Sequence, residues 1–167
     1  AENVAEKYGI TRKEQDEFSY NSQVKAATAI DEGRFKNEIV PISVKIGKEM
    51  VSFDTDEFVN RSTNPDKLAN LKPAFKKDGT VTAGNASGIN DGASFVLLAS
   101  EEAVAKYNLT PLAEVIATGQ GGVEPSIMGM GPVPAIAKAL KKANMNLKDM
   151  DILELNEAFA AQSLGVI

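Results

Sequence analysis

The chain of 167 residues contains no cysteine and no histidine. The first absence excludes a disulfide framework and a thiolate nucleophile among these residues. The two together exclude a Cys/His zinc site and a Ser-His-Asp triad. Excess positive charge is missing too: 18 Lys+Arg against 23 Asp+Glu leave a net charge of −5 and a pI near 4.9. The basic residues are scattered, so nothing here would displace the counterions of a nucleic acid. No apolar run approaches the roughly 20 residues of a membrane-spanning helix. These absences predict a soluble, cytoplasmic protein with no nucleic-acid partner, no membrane partner and no metal.

What remains is ample for a core, since 43% of the residues are apolar and domains typically run to about 100–150 residues. The ends are unusual. There is no initiator methionine, and the chain closes on the apolar Leu164-Gly165-Val166-Ile167. Termini usually fray into solvent, so these ends predict a piece of a longer protein, with a complete small protein as the alternative.

Local signals place the elements. Thr11-Arg12-Lys13-Glu14 is a capping box and Gly33 a helix stop. Between them Phe18, Ser22, Ala26, Ala29 and Ile30 repeat at helical spacing. The alternation on either side of Gly47 predicts a hairpin, with Pro41 favouring an edge strand. Asn64-Pro65 predicts the start of a short helix through Leu71. Phe95 to Ala99 reads as a strand buried on both faces, and Ser100 as the cap of a following helix. Leu112 to Thr118 and Ile152 to Leu155 read as further strands. Pro132 opens a helix with an apolar stripe of Val133, Ile136, Ala137 and Leu140, and a last helix is expected from Ala158. From Pro111 the order strand, glycine loop, helix, strand, helix argues for an α/β architecture with a parallel sheet. Ligands gather at the carboxyl ends of the strands in such sheets.

Three stretches could carry chemistry. Thr82 to Gly92 is rich in small residues that allow close approach of a ligand, with Asn85 and Ser87 as hydrogen-bonding groups. A tight loop feeding a buried strand is the structural alternative. Ser126 to Pro132 is a glycine loop before a helix, which can hold an anion, but its spacing fits no dinucleotide or P-loop fingerprint. Met128 and Met130 within it could equally be core filler. Asn156-Glu157 ends a strand with polar groups, with helix capping as the alternative.

Together these stretches resemble the thiolase family. Residues 80–93, Thr-Val-Thr-Ala-Gly-Asn-Ala-Ser-Gly-Ile-Asn-Asp-Gly-Ala, are similar to its T-A-G-N-[AS]-S-x-[LI]-N-D-G-A segment. Residues 128–135, Met-Gly-Met-Gly-Pro-Val-Pro-Ala, are similar to its M-G-x-G-P-x-P-A segment. Asn156-Glu157-Ala158-Phe159-Ala160-Ala161-Gln162 is similar to its N-E-A-F-A-A-Q signature. The resemblance covers essentially the whole chain, in order.

It implies an acyltransferase that condenses two acetyl-CoA to acetoacetyl-CoA or thiolyses the reverse. A degradative 3-ketoacyl-CoA thiolase and a non-catalytic CoA-binding module are the alternatives. The motif style is nearer the acetyl-specific branch. It implies a thiolase-like α/β fold: a loop subdomain over residues 1–89, the end of the N-terminal domain over 90–110, and the first half of a βαβ-type C-terminal domain over 111–167. It implies a coenzyme A thioester as substrate, no permanently bound cofactor, and a homo-oligomer, dimer or tetramer. By the same resemblance, Asn156 holds an oxyanion-site water and Ser87 touches the pantetheine arm. Ala83, Gly84 and Phe75 line the CoA channel, Arg61 or its neighbour Asn60 lies near the adenine and phosphate end, and Met128 and Phe159 wall the acyl pocket. The family's acyl-carrying cysteine, second cysteine and histidine have no counterpart in these residues. The resemblance therefore implies a central fragment, inactive alone.

Overall fold

The longest helix starts where its capping box predicts. In the computed structural model, which describes residues 1–167, Thr11 accepts a hydrogen bond from the Glu14 N–H while the Glu14 carboxylate accepts from the Thr11 N–H. This opens helix α2 (Arg12–Asp31), and Gly33 terminates it with a φ of 66°. A short helix α1 (Glu2–Tyr8) precedes it. Strands β1 (Ile42–Ile46) and β2 (Glu49–Phe53) form an antiparallel hairpin. Its two-residue turn begins at Gly47, where a φ of 63° suits glycine. Helix α3 (Pro65–Ala69) is capped by Asn64, whose side chain accepts from the Lys67 N–H.

Helix α4 (Glu101–Tyr107) has Ser100 as its cap, as expected. A 3₁₀ turn (Pro125–Met130) leads into α5 (Pro132–Ala143), which ends at Asn144 in the left-handed conformation. A second 3₁₀ turn spans Leu147–Asp149, and α6 (Ala160–Val166) closes the chain.

The three further strands expected from the sequence do not form within this chain. The β1–β2 hairpin is its only sheet. Phe95, expected to be buried on both faces, is 95% exposed and Leu98 77%. Leu112 and Ile152 stand equally open. The cause is a shortage of partners. A strand needs a neighbour for its N–H and C=O groups, and none of these segments has one in these residues. The stripe on α5 differs as well: Val133 and Ile136 are exposed. Here the glycine loop packs on the helix backbone. A Cβ on Gly119 would collide with the carbonyl oxygen of Ala135, and one on Gly121 would lie 2.6 Å from Pro134 Cγ.

The chain divides into two compact units. One comprises Ala1–Gly88, Asn156–Gly165 and Ile167; the other comprises Ile89–Leu155 and Val166. The first holds nearly all the buried apolar side chains: Val4, Ala5, Ala29, Leu68, Val81, Ala160 and Ala161. In the second only Met130 is buried.

Candidate functional site

The candidate site of the first unit is built on loop 80–88. Its start is clamped from α1. The Glu2 carboxylate accepts hydrogen bonds from the N–H groups of Thr80 and Val81 and from the Thr80 hydroxyl, at 2.9–3.2 Å. Burial works to raise the pKa of this carboxyl, but the bonds donated by Thr80 and Val81 outweigh it and hold it below the ordinary value. Gln15 of α2 adds a bond to the Thr80 hydroxyl at 3.0 Å. Thr82 and Asn85 then close a tight turn. The Thr82 N–H donates to Asn85 Oδ1 at 2.8 Å, and the Gly84 N–H to Thr82 Oγ1 at 3.2 Å. Gly84 has no room for a side chain, since a Cβ would lie 2.5 Å from Leu68 Cδ2 and 2.6 Å from Leu71 Cδ1. The turn leaves Asn85 buried and Ala83 and Ser87 exposed.

Asn85 is the hub. It is 2% exposed, and its amide donates to Asp16 Oδ1 at 3.0 Å and to the Thr80 carbonyl at 3.1 Å. The other oxygen of Asp16 accepts from Arg12 Nε at 2.7 Å, and Arg12 reaches on to the carbonyls of Leu68 and Leu71. A buried carboxylate on the inner face of α2 is absent from the apolar-stripe expectation. The i,i+4 spacing of Arg12 and Asp16 is the local signal for it in the sequence.

The loop meets the segment entering α6 as a short antiparallel bridge between Ala86 and Phe159. The Ser87 N–H donates to the Ala158 carbonyl, and the Ala160 N–H to the Asn85 carbonyl, both at 3.0 Å. This corrects the capping alternative for Asn156. Helix α6 starts at Ala160 with Phe159 at its cap position, so Asn156 lies before the helix. The Ala158 N–H donates to the Asn156 carbonyl at 3.0 Å, while the Asn156 side chain is exposed and bonds to nothing within the chain. Glu157 accepts from the Ser22 hydroxyl of α2 at 2.6 Å.

Other candidates fall around this core. The Phe75 and Phe159 rings meet edge-on, with centroids 6.1 Å apart. Phe75 lies over a shallow cavity of about 450 Å³ lined also by Lys72, Lys76 and Lys77. Arg61 forms a bidentate ion pair with Asp31, at 2.9 and 2.7 Å. The hydrogen bonds that Arg61 donates to Asp31 raise the pKa of Arg61 and lower that of Asp31. Asn60 turns inward locally, its Oδ1 accepting from Ser62. Met128 belongs to the second unit, where it is 78% exposed while Met130 fills the interior.

Known proteins match along the whole chain. The family description "Thiolase, N-terminal domain" matches residues 1–102, and "Thiolase, C-terminal domain" matches residues 109–167. The chain is 54% identical over 166 residues to the acetyl-CoA acetyltransferase of Syntrophomonas wolfei, covering 99% of this chain and 42% of that protein. It is 56% identical to the acetyl-CoA acetyltransferase of Chromobacterium violaceum, covering 99% of this chain and 43% of the relative. Among solved structures it is similar to the Bacillus anthracis acetyl-CoA acetyltransferase, with TM-score 0.95, 51% identity, and coverage of 99% of this chain and 42% of that one. It is also similar to human mitochondrial 3-ketoacyl-CoA thiolase in complex with CoA, with TM-score 0.93, 52% identity, and coverage of 99% and 41%. The chain thus spans about two fifths of the length of the curated relatives it matches.

Proposed function

The chain belongs to the thiolase family, and from that premise we propose that it is the CoA-facing part of an acetyl-CoA acetyltransferase. Residues 1–89 are the CoA-covering loop region, 90–110 complete the N-terminal domain, and 111–167 open the C-terminal domain. The acyl-carrying cysteine, the second cysteine and the histidine come from outside these residues, which contain none.

The observation that carries this reading is the bridge between loop 85–87 and residues 158–160. It brings the backbone of Ser87 within one hydrogen bond of Ala158, two residues from Asn156. The Asn156 amide is exposed and unbonded within the chain, as a group that acts on a substrate or on a bound water must be. Acyl transfer through a thiolate splits one hard step into two, and donors aimed at the developing oxyanion lower the barrier. In this reading Asn156 orients a water that donates to that oxyanion. Ser87, Ala83 and Gly84 form the wall along the pantetheine arm. Phe75 and Phe159 supply apolar surface beside it. Lys72 and Lys77 offer positive charge beside Phe75 to a phosphate-bearing ligand, Lys76 is paired with Glu6 at 3.0 Å, and Arg61, paired with Asp31, is assigned to the nucleotide end.

The test is turnover by the full-length protein that carries these residues. With acetoacetyl-CoA and free CoA it should yield acetyl-CoA, and peptide mass spectrometry should find a transient acetyl group on a cysteine outside residues 1–167. Tight CoA binding without turnover would favour a non-catalytic CoA-binding module instead. A second reading, a 3-ketoacyl-CoA thiolase acting on longer chains, draws on the 52% identity to the human mitochondrial 3-ketoacyl-CoA thiolase. Comparing kcat/KM for acetoacetyl-CoA with that for longer 3-ketoacyl-CoA substrates separates the two.

A further inference from the structure

Asn156 lies in a stretch that is neither helix nor strand. A group that must meet developing charge has to be held to within about 0.5 Å. Something outside that stretch must therefore fix it. We propose that α2 does so at two points, with Asp16 and Ser22 as positioning residues for Asn156. The proposal rests on the reading of Asn156 as an oxyanion-site residue.

The first route runs through Asn85. The turn after Asn156 is held by the Ser87 N–H on Ala158 and by the Ala160 N–H on the Asn85 carbonyl. The backbone of residues 85–87 is thus the template for residues 158–160. Asn85 is oriented in turn by Asp16, which is 8% exposed and locked by Arg12. Burying a carboxylate this deeply is expensive even when it is paired, and replacing such a pair with apolar residues is often neutral or stabilising. A positioning task accounts for its presence. Asp16 satisfies one Asn85 N–H, leaving the other for Thr80 and the amide oxygen for Thr82. With Asp16 gone, one N–H of the buried Asn85 amide loses its partner, the amide is held by Thr80 and Thr82 alone, and the register of the bridge loosens with it.

The second route is direct. Ser22 lies six residues further along the same helix, roughly 9 Å away at the rise of an α-helix. Its hydroxyl donates to Glu157, the residue after Asn156, at 2.6 Å. Asn156 is thereby flanked by two contacts that refer back to a single rigid element.

The experiment is a set of double-mutant cycles in the full-length enzyme, assayed by thiolysis of acetoacetyl-CoA. Asp16→Asn and Ser22→Ala should each lower kcat roughly ten-fold, in keeping with the cost of misplacing a reacting group from a distance, while KM for CoA stays within about two-fold. Placed in an Asn156→Ala background, neither should lower kcat further, because both act through Asn156. Should Asp16→Asn fail to fold, Ser22→Ala carries the test, since alanine suits a helix and Ser22 is only half-buried. Losses that multiply with Asn156→Ala, or variants with reduced melting temperature and wild-type kcat per folded molecule, would overturn the positioning role alone. An inactive wild type, or an Asn156→Ala enzyme with undiminished kcat, would overturn the functional reading beneath it.

Discussion

The ring of Phe75 meets the ring of Phe159 edge-on, at an interplanar angle of 75° and a centroid separation of 6.1 Å. The two residues are separated by more than half the chain, and the Ala86–Phe159 bridge holds the second of them in place. Edge-to-face pairs contribute about 0.5–1.5 kcal/mol beyond area burial. A cycle of Phe75→Leu, Phe159→Leu and the double variant, read by chemical unfolding, should give a coupling energy near the lower end of that range, because Phe75 is 67% exposed. Strictly additive losses would show that the rings touch without interacting.

Glu2 ties α1 to the start of the site loop. Its folded pKa is depressed by the bonds from Thr80 and Val81 despite the opposing effect of burial. A depressed carboxylate contributes stability above its unfolded pKa, about 4.3 for glutamate. That stability disappears as the pH falls through the folded value. Glu2→Gln should therefore lower the melting temperature at neutral pH. The gap between variant and wild type should close on acidification below about pH 4. A gap independent of pH would place the effect in packing rather than charge.

Much of the local structure was legible because its causes are local. The Thr11–Glu14 box, the Gly47 turn and the Ser100 cap depend on residues within three or four positions, and all three form. The strand expectations at Phe95, Leu112 and Ile152 depended on neighbours that no local pattern supplies, and those segments stay unpaired in this chain. In the site, motif resemblance pointed to Ser87 and Asn156. The buried Asp16–Asn85 contact joins residues 69 positions apart, and an apolar-stripe reading assigns a helix carboxylate to solvent. The alternative that made Asn156 a helix cap failed because Phe159 is extended and the helix begins after it.

The exposure of Phe95, Val96, Leu97 and Leu98 in one run has a consequence for the 167-residue chain in isolation. A contiguous apolar strip of this kind drives association, and its unpaired backbone invites strand pairing. Sedimentation of the isolated chain should show concentration-dependent self-association, which Leu97→Lys weakens. A monomer at all concentrations would contradict this.

In the proposed function Asn156 helps to stabilise the oxyanion of an acyl-CoA reaction. The most direct test of that role is the kcat of the full-length enzyme carrying Asn156→Ala, measured in thiolysis of acetoacetyl-CoA alongside a melting curve. The expected result is a fall of about 10²–10³-fold in kcat, the scale of losing one oxyanion-site donor, with an unchanged melting temperature. A kcat equal to that of the wild type would contradict it.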